Sequence, residues 1–247
     1  MRVLRHSLLM ILLFLAACAP MGGRSGHETV VGGGAPSLWS PCTPNQALMW
    51  EQKSEQNPSA AFHAVRCYAV LARNGKTKAE RLTNAVKGRK LAENAVAQDP
   101  DSGTACYLAA YLAGLEAENN SLKGLALVPV IERGALAASG LNPALDHGGP
   151  DRMLGELYLR APEPPVSIGD LDKAILHYRR AVSQDPDFVE NRLGLAEAYL
   201  EDEDPGAACE QLQRILTRMP PGPGWERTLK KTTNLMKRLC GMEIQKN

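Results

Sequence analysis

Aromatic residues supply only 5% of this 247-residue sequence, and neither sign of charge dominates, with 28 Lys and Arg against 27 Asp and Glu. A chain so balanced presents no field of one sign, which argues against nucleic acid or an anionic membrane face as a partner. Cys42, Cys67, Cys106, Cys209 and Cys240 form no CxxC or CxxxC pair, so no metal site is expected. Beyond residue 37 histidine occurs only at His63, His147 and His177, and there is no GxSxG, HExxH, Walker or dinucleotide-binding pattern. His147, beside Gly148 and Gly149, reads as a solvated turn residue and His177 as polar surface on the outer face of its helix. The expectation is a protein without catalytic residues, metal or cofactor, and not an enzyme.

A long apolar run occurs at the N-terminus, and the sequence shows no second one. Arg2, Arg5 and His6 precede the uncharged run from Leu8 to Leu15, which is far shorter than the roughly 20 residues that span a bilayer. A basic start, a short apolar stretch and small residues at its end describe a cleaved export signal, with the remainder of the chain soluble. The cleavage sequence Leu15-Ala16-Ala17-Cys18 resembles a bacterial lipobox, which implies lipidation at Cys18 and a stable membrane anchor through several acyl chains. Ala19 next to it implies sorting to the outer membrane by the same resemblance, with the domain in the periplasm. The signal is therefore assigned to residues 1–17, and the lipidated cysteine with a glycine-rich flexible tether to residues 18–43.

From Pro44 to residue 247 the pattern is helical, with apolar residues three and four apart and turn residues between. Leu171, Ala174, Ile175, Tyr178, Ala181 and Val182 share one stripe, behind Asp170 as N-cap. Asp187 with Glu190 has the spacing of a capping box, and Asp204-Pro205 that of an N-cap followed by proline at the first helical position. The fold class is thus all-α.

The segment Ala95-Val96-Ala97-Gln98-Asp99-Pro100-Asp101 returns as Ala181-Val182-Ser183-Gln184-Asp185-Pro186-Asp187. Pro186 and Pro220 are 34 residues apart, the period of the tetratricopeptide repeat (TPR), a helix pair whose small residues let the two helices approach. In that register Ala174 and Ala208, Tyr178 and Leu212, and Ala181 and Ile215 are equivalent in the second helices. Leu154, Gly155 and Tyr158 correspond to Leu195, Ala196 and Tyr199 in the first. Two weaker pairs precede them, ended by Pro100 and Pro143, and residues 225–240 form a closing helix with Lys230, Lys231, Lys237 and Arg238 on its outer face. The last second helix carries Cys209 and the closing helix Cys240, which makes them the preferred disulfide. Cys42 pairs with either Cys67 or Cys106.

Stacked TPR pairs expose a concave face made by their first helices. Its side chains here include Tyr107, Tyr111, Arg152, Glu156, Arg160, Glu190, Glu197 and Glu201, with Asn191 beside them. Such a groove can hold a partner's segment or a small organic acid, since arginine takes a carboxylate bidentately. Arg152–Glu156 and Glu156–Arg160 are equally at the spacing of surface ion pairs.

Gly148-Gly149-Pro150-Asp151-Arg152, Leu154-Gly155, Tyr158, the connector from Ala161 to Ser167 with Pro164 and Pro165, Gly169-Asp170, Lys173-Ala174, Pro186 and Asn191 together resemble the TatT family. These are TPR lipoproteins associated with TRAP transporters. The resemblance covers about residues 80 to 220, and its specific part is the Gly-Gly-Pro loop with the proline-rich connector. It implies a scaffold of a TRAP-type solute uptake system, a periplasmic solute-binding protein as partner, and a homo-oligomer, in the family a trimer. The alternative is a TPR lipoprotein that assists assembly of an envelope machine such as a pilus, secretin or outer-membrane complex.

Overall fold

The computed structural model describes residues 37–55, 57–218 and 226–240; Cys18, its signal sequence and Pro220 lie outside them. Ten helices and no strand occur among the described residues: α1 Pro44–Ser54, α2 Pro58–Asn74, α3 Lys78–Gln98, α4 Gly103–Asn119, α5 Gly124–Leu141, α6 Gly149–Arg160, α7 Leu171–Gln184, α8 Val189–Glu201, α9 Pro205–Arg218 and α10 Glu226–Leu239.

Most helix starts follow from the residue just before them. Thr43 and Thr77 form capping boxes with Gln46 and Glu80, Asn57 accepts from the Ser59 amide, and Asp170 accepts from the Lys173 amide. Asp204 accepts from the amide of Ala207 ahead of Pro205. The start of α8 differs from the expected capping box. Its N-cap is Phe188, which gives no side-chain bond. Asp185 organises that turn instead, accepting from the Asp187 amide at 3.1 Å, while the Asp187 carboxylate pairs with Arg218 on α9 at 3.2 Å.

Each helix packs on the next, and the first helices of successive pairs, α2, α4, α6 and α8, also touch in order. Four pairs result, α2/α3, α4/α5, α6/α7 and α8/α9, with α1 added before them and α10 packed on α9. Small residues allow this stacking: Ala174 and Ala208 are completely buried, as are Ala110, Ala135 and Ala196. Cys209 is bonded to Cys240, which ties α10 to α9, and Cys42 is bonded to Cys67. Cys106 takes part in neither bond and is buried, its Sγ 3.7 Å from the Pro100 carbonyl oxygen.

Three expectations need correction. Ordered packing begins before residue 44, because Leu38 and Trp39 pack on the main core and Cys42 is covalently held, so residues 38–43 belong to the folded unit and not to a tether. Gly124–Leu141 is a second segment long and apolar enough, by length and composition, to cross a membrane. It is α5, packed against α4 and α6, which bury 39% of its residues. His177 is not surface: it is 6% exposed, with Nδ1 2.7 Å from Asp151 Oδ1 and its ring stacked on Tyr158. Asp151 is itself buried and accepts a second bond from the Ser139 hydroxyl at 2.8 Å. The carboxylate thus stands between the serine and the histidine, an arrangement that locks α5, α6 and α7 together and gives the serine no base.

Candidate functional site

A groove of about 850 Å³ opens along α4, α6 and α8 and is backed by α5. Tyr107, Tyr111, Arg152, Glu156, Arg160, Glu190 and Glu197, all named from the sequence, line it. Glu201 and Asn191 do not. Glu201 is exposed outside the groove, whereas Asn191 is fully buried, its amide donating to the carbonyls of His147 and Ala181.

The turn before α6 fixes one end. Asp146, His147 and Gly148 all have positive φ, at 50°, 60° and 80°. Gly148 is required there, since a β-carbon would lie 2.8 Å from the Ala181 carbonyl oxygen in addition to the backbone strain. At Gly149 a β-carbon would meet the Tyr107 hydroxyl at 2.6 Å. Pro150 follows in the first turn of α6 and is buried. Three side chains converge on the turned-in Asp146: Trp39 Nε1 donates to Oδ1 at 2.6 Å, and Tyr107 and Arg152 donate to Oδ2 at 2.6 and 2.7 Å. Burial, then the neighbouring Asp146 charge, pushes the Tyr107 hydroxyl well above the usual tyrosine range.

Arg152 therefore holds the scaffold. Beyond Asp146 it donates to the Asp146 carbonyl and to Asn191 Oδ1 at 2.9 Å, and its guanidinium lies over the Phe188 ring at 4.9 Å. The expected Arg152–Glu156 pair is not formed, because Asp146 and Asn191 take the guanidinium. Arg160 is committed as well, with Nε 3.1 Å from Glu156 and Nη2 2.6 Å from Glu197. Burial works against its charge, but the two carboxylates more than offset this and raise its pKa. Glu156 also accepts from the Tyr178 hydroxyl at 2.6 Å. Burial, then the Glu156 charge, raises the Tyr178 pKa.

Both arginines are already paired with carboxylates of the protein, which compete with a small organic acid, one of the two occupants expected from sequence. The carboxylates outnumber them, with Glu118, Glu156, Glu190 and Glu197 on the lining against Arg152 and Arg160. The rest of the lining includes an apolar wall: Leu125, Val128 and Ile131 from α5, Leu115 from α4, and Met153 and Leu157 from α6. Sequence reasoning missed this wall and the Asp146 hub. The α5 part of the wall was legible only as the apolar run from Leu125 to Ile131, and Asp146 carried no signal, being a lone aspartate in a turn.

The proline connector from α6 to α7 contributes Ala161 and Pro162 to the rim, while Pro164 and Pro165 are exposed beyond it. His147, on the other side of the turn, is half-exposed, but stacks on Phe188 at 4.4 Å and places Nδ1 2.6 Å from Asp185. Burial tends to raise the Asp185 pKa, but the bonds from His147 and from the Asp187 and Phe188 amides hold it below the usual carboxylate range. Among the described residues no group of three or more metal-ligating side chains occurs.

A tetratricopeptide-repeat family model matches residues 168–228. Among solved structures, a thermophilic TPR protein of Thermus thermophilus is similar over 78% of this chain and 98% of its own, with a TM-score of 0.50 and 16% identity, a likeness that speaks for the fold alone. No curated protein matches in sequence. Residues 168–228 are TPR-like in sequence, and the chain is TPR-like in fold.

Proposed function

We propose that this protein is a lipid-anchored, periplasm-facing scaffold of a TRAP-type solute uptake system, and that its groove engages a segment of a periplasmic solute-binding protein. The observation that carries the reading is the groove itself: an apolar wall and a charged rim brought together by four helices, with no catalytic constellation described inside it. An open cleft of this volume suits a short segment of a partner, and a rigid backing of packed helices lowers the cost of binding. The anchor rests on the lipobox ending at Cys18. The transporter link rests on the TatT-like residues, and two parts of that pattern, Gly149 and the start of the proline connector, stand on the groove rim.

Two measurements test this. Native mass spectrometry of the full-length protein with candidate periplasmic solute-binding proteins should show a complex with one of them. A complex formed instead with pilus or secretin components, and none with a solute-binding protein, would replace this reading by envelope assembly. Growth with radiolabelled palmitate should label the wild type and leave Cys18→Ser unlabelled; equal labelling of both would remove the anchor.

A further inference from the structure

We infer that the groove selects an extended partner segment carrying a basic side chain beside a large apolar one, with the basic group received by Glu190. This rests on the reading of the groove as a partner site and adds the chemistry of what enters it. Glu190 stands in the first turn of α8 and lines the groove. Its Oε2 is buried, and among the described residues it has no hydrogen-bond partner and Glu190 no ion pair. The Glu190 side chain as a whole is half-buried, and a carboxylate partly withdrawn from water with no counter-charge is costly; a cation supplied by a ligand at its exposed side recovers that cost.

The neighbouring charges specify the sign of the ligand. Arg160 is paired with Glu156 and Glu197, and Arg152 with Asp146, and these carboxylates compete with Glu190 and with an anionic guest for either cation. Exposed Glu118, also without an ion pair among the described residues, adds a further negative charge from α4. Charge complementarity therefore favours lysine or arginine on the guest. Leu125, half exposed on α5, together with Val128, Met153 and Leu157, offers an apolar surface for the adjoining side chain. A segment with both features satisfies the carboxylate and covers the wall at once.

The test pans a display library of random octapeptides on full-length protein in detergent and measures the recovered peptides by calorimetry against wild type, Glu190→Gln, Arg160→Gln and Leu125→Asp. The expected peptides pair Lys or Arg with Leu, Ile, Met or Phe. Glu190→Gln should weaken them about tenfold or more, replacing the peptide lysine by norleucine should do the same, and the two losses should not add. Glu190→Gln should melt within a few degrees of wild type, since no internal bond is lost; Glu190→Asp, which keeps the charge, should retain most of the affinity.

Recovery of acidic peptides whose binding depends on Arg160, equal binding by Glu190→Gln, or no recovery at all would overturn the inference. Peptides without a basic preference that are nonetheless lost with Leu125→Asp would overturn it while leaving the groove as a partner site. Peptides indifferent to both Glu190→Gln and Leu125→Asp would place binding elsewhere and sink both readings.

Discussion

The ring of Tyr178 on α7 lies so close to Gly194 on α8 that a β-carbon there would come within 2.1 Å of Cε1. The other edge of the ring stands equally against α6, where a β-carbon on Gly155 would be 2.7 Å from Cδ2. Tyr178 is thus held between two glycines, and from that position its hydroxyl fixes Glu156 on the groove rim. Gly194→Ala should cost about 1–3 kcal/mol, as overpacking of a filled interior does, because the clash is with a ring that has nowhere to move. Urea denaturation measures it; a midpoint equal to wild type would show that the ring has room to shift.

Asp146 is the second keystone. Removing it in Asp146→Ala leaves the Arg152 guanidinium, the Tyr107 hydroxyl and the Trp39 indole without their shared acceptor. A loss of about 3 kcal/mol is expected for breaking a largely buried pair in this way. Tryptophan emission should shift to the red as Trp39 gains water. Asp146→Asn, which keeps an acceptor oxygen, should lose less.

The network of half-buried Ser139 with buried Asp151 and His177 predicts an asymmetry. Each substitution removes one of the two partners of Asp151, but His177→Ala also empties a buried site and loses the stacking on Tyr158, whereas Ser139→Ala acts at a half-buried position. The first should cost about 1–3 kcal/mol and the second less. Thermal melting of the two variants side by side decides it, and a larger loss at Ser139 would contradict the arrangement.

Asp185 supplies a pH dependence. Its pKa is below the ordinary value in the folded state, so its contribution is complete above the unfolded value of about 3.9 and is lost as pH falls through the lower folded value. Asp185→Asn should be less stable than wild type at neutral pH, with the gap closing in acid. Melting temperatures from neutral pH down to pH 3 would show it; a gap constant with pH would exclude Asp185 as the source.

The bond between Cys209 and Cys240 spans 31 residues. Loop-closure entropy on that scale stabilises by about 3.7 kcal/mol, most of it at the C-terminal end. Cys209→Ser should therefore speed hydrogen exchange in α10 well before α4 or α6 is affected. Uniform acceleration along the chain would mean that α10 does not open separately.

Much of the repeat was legible because it is written in local rules. A capping residue such as Asp170, the small residues Ala174 and Ala208 and the terminal proline Pro186 each act on their own helix pair, so their spacing survives in the linear sequence. The rim was legible for the same reason: Tyr107, Tyr111, Glu156, Arg160 and Glu197 fall on first-helix faces once the register is known. Asn191, on a neighbouring face of α8, was misplaced because its amide is turned inward by the carbonyls of His147, in the turn before α6, and Ala181, near the end of α7.

The sequence by itself determined an all-helical TPR chain and the set of first helices that would share a face, because helical periodicity and capping are properties of consecutive residues. Tertiary structure alone decided which charges on that face are spent. Arg152 and Arg160 read as ligands until Asp146, Glu156 and Glu197 are seen to hold them, and His177 read as surface until Asp151 is found against it. Ion pairing and burial are set by distances between residues far apart in the chain, and such distances exist only once the helices have stacked.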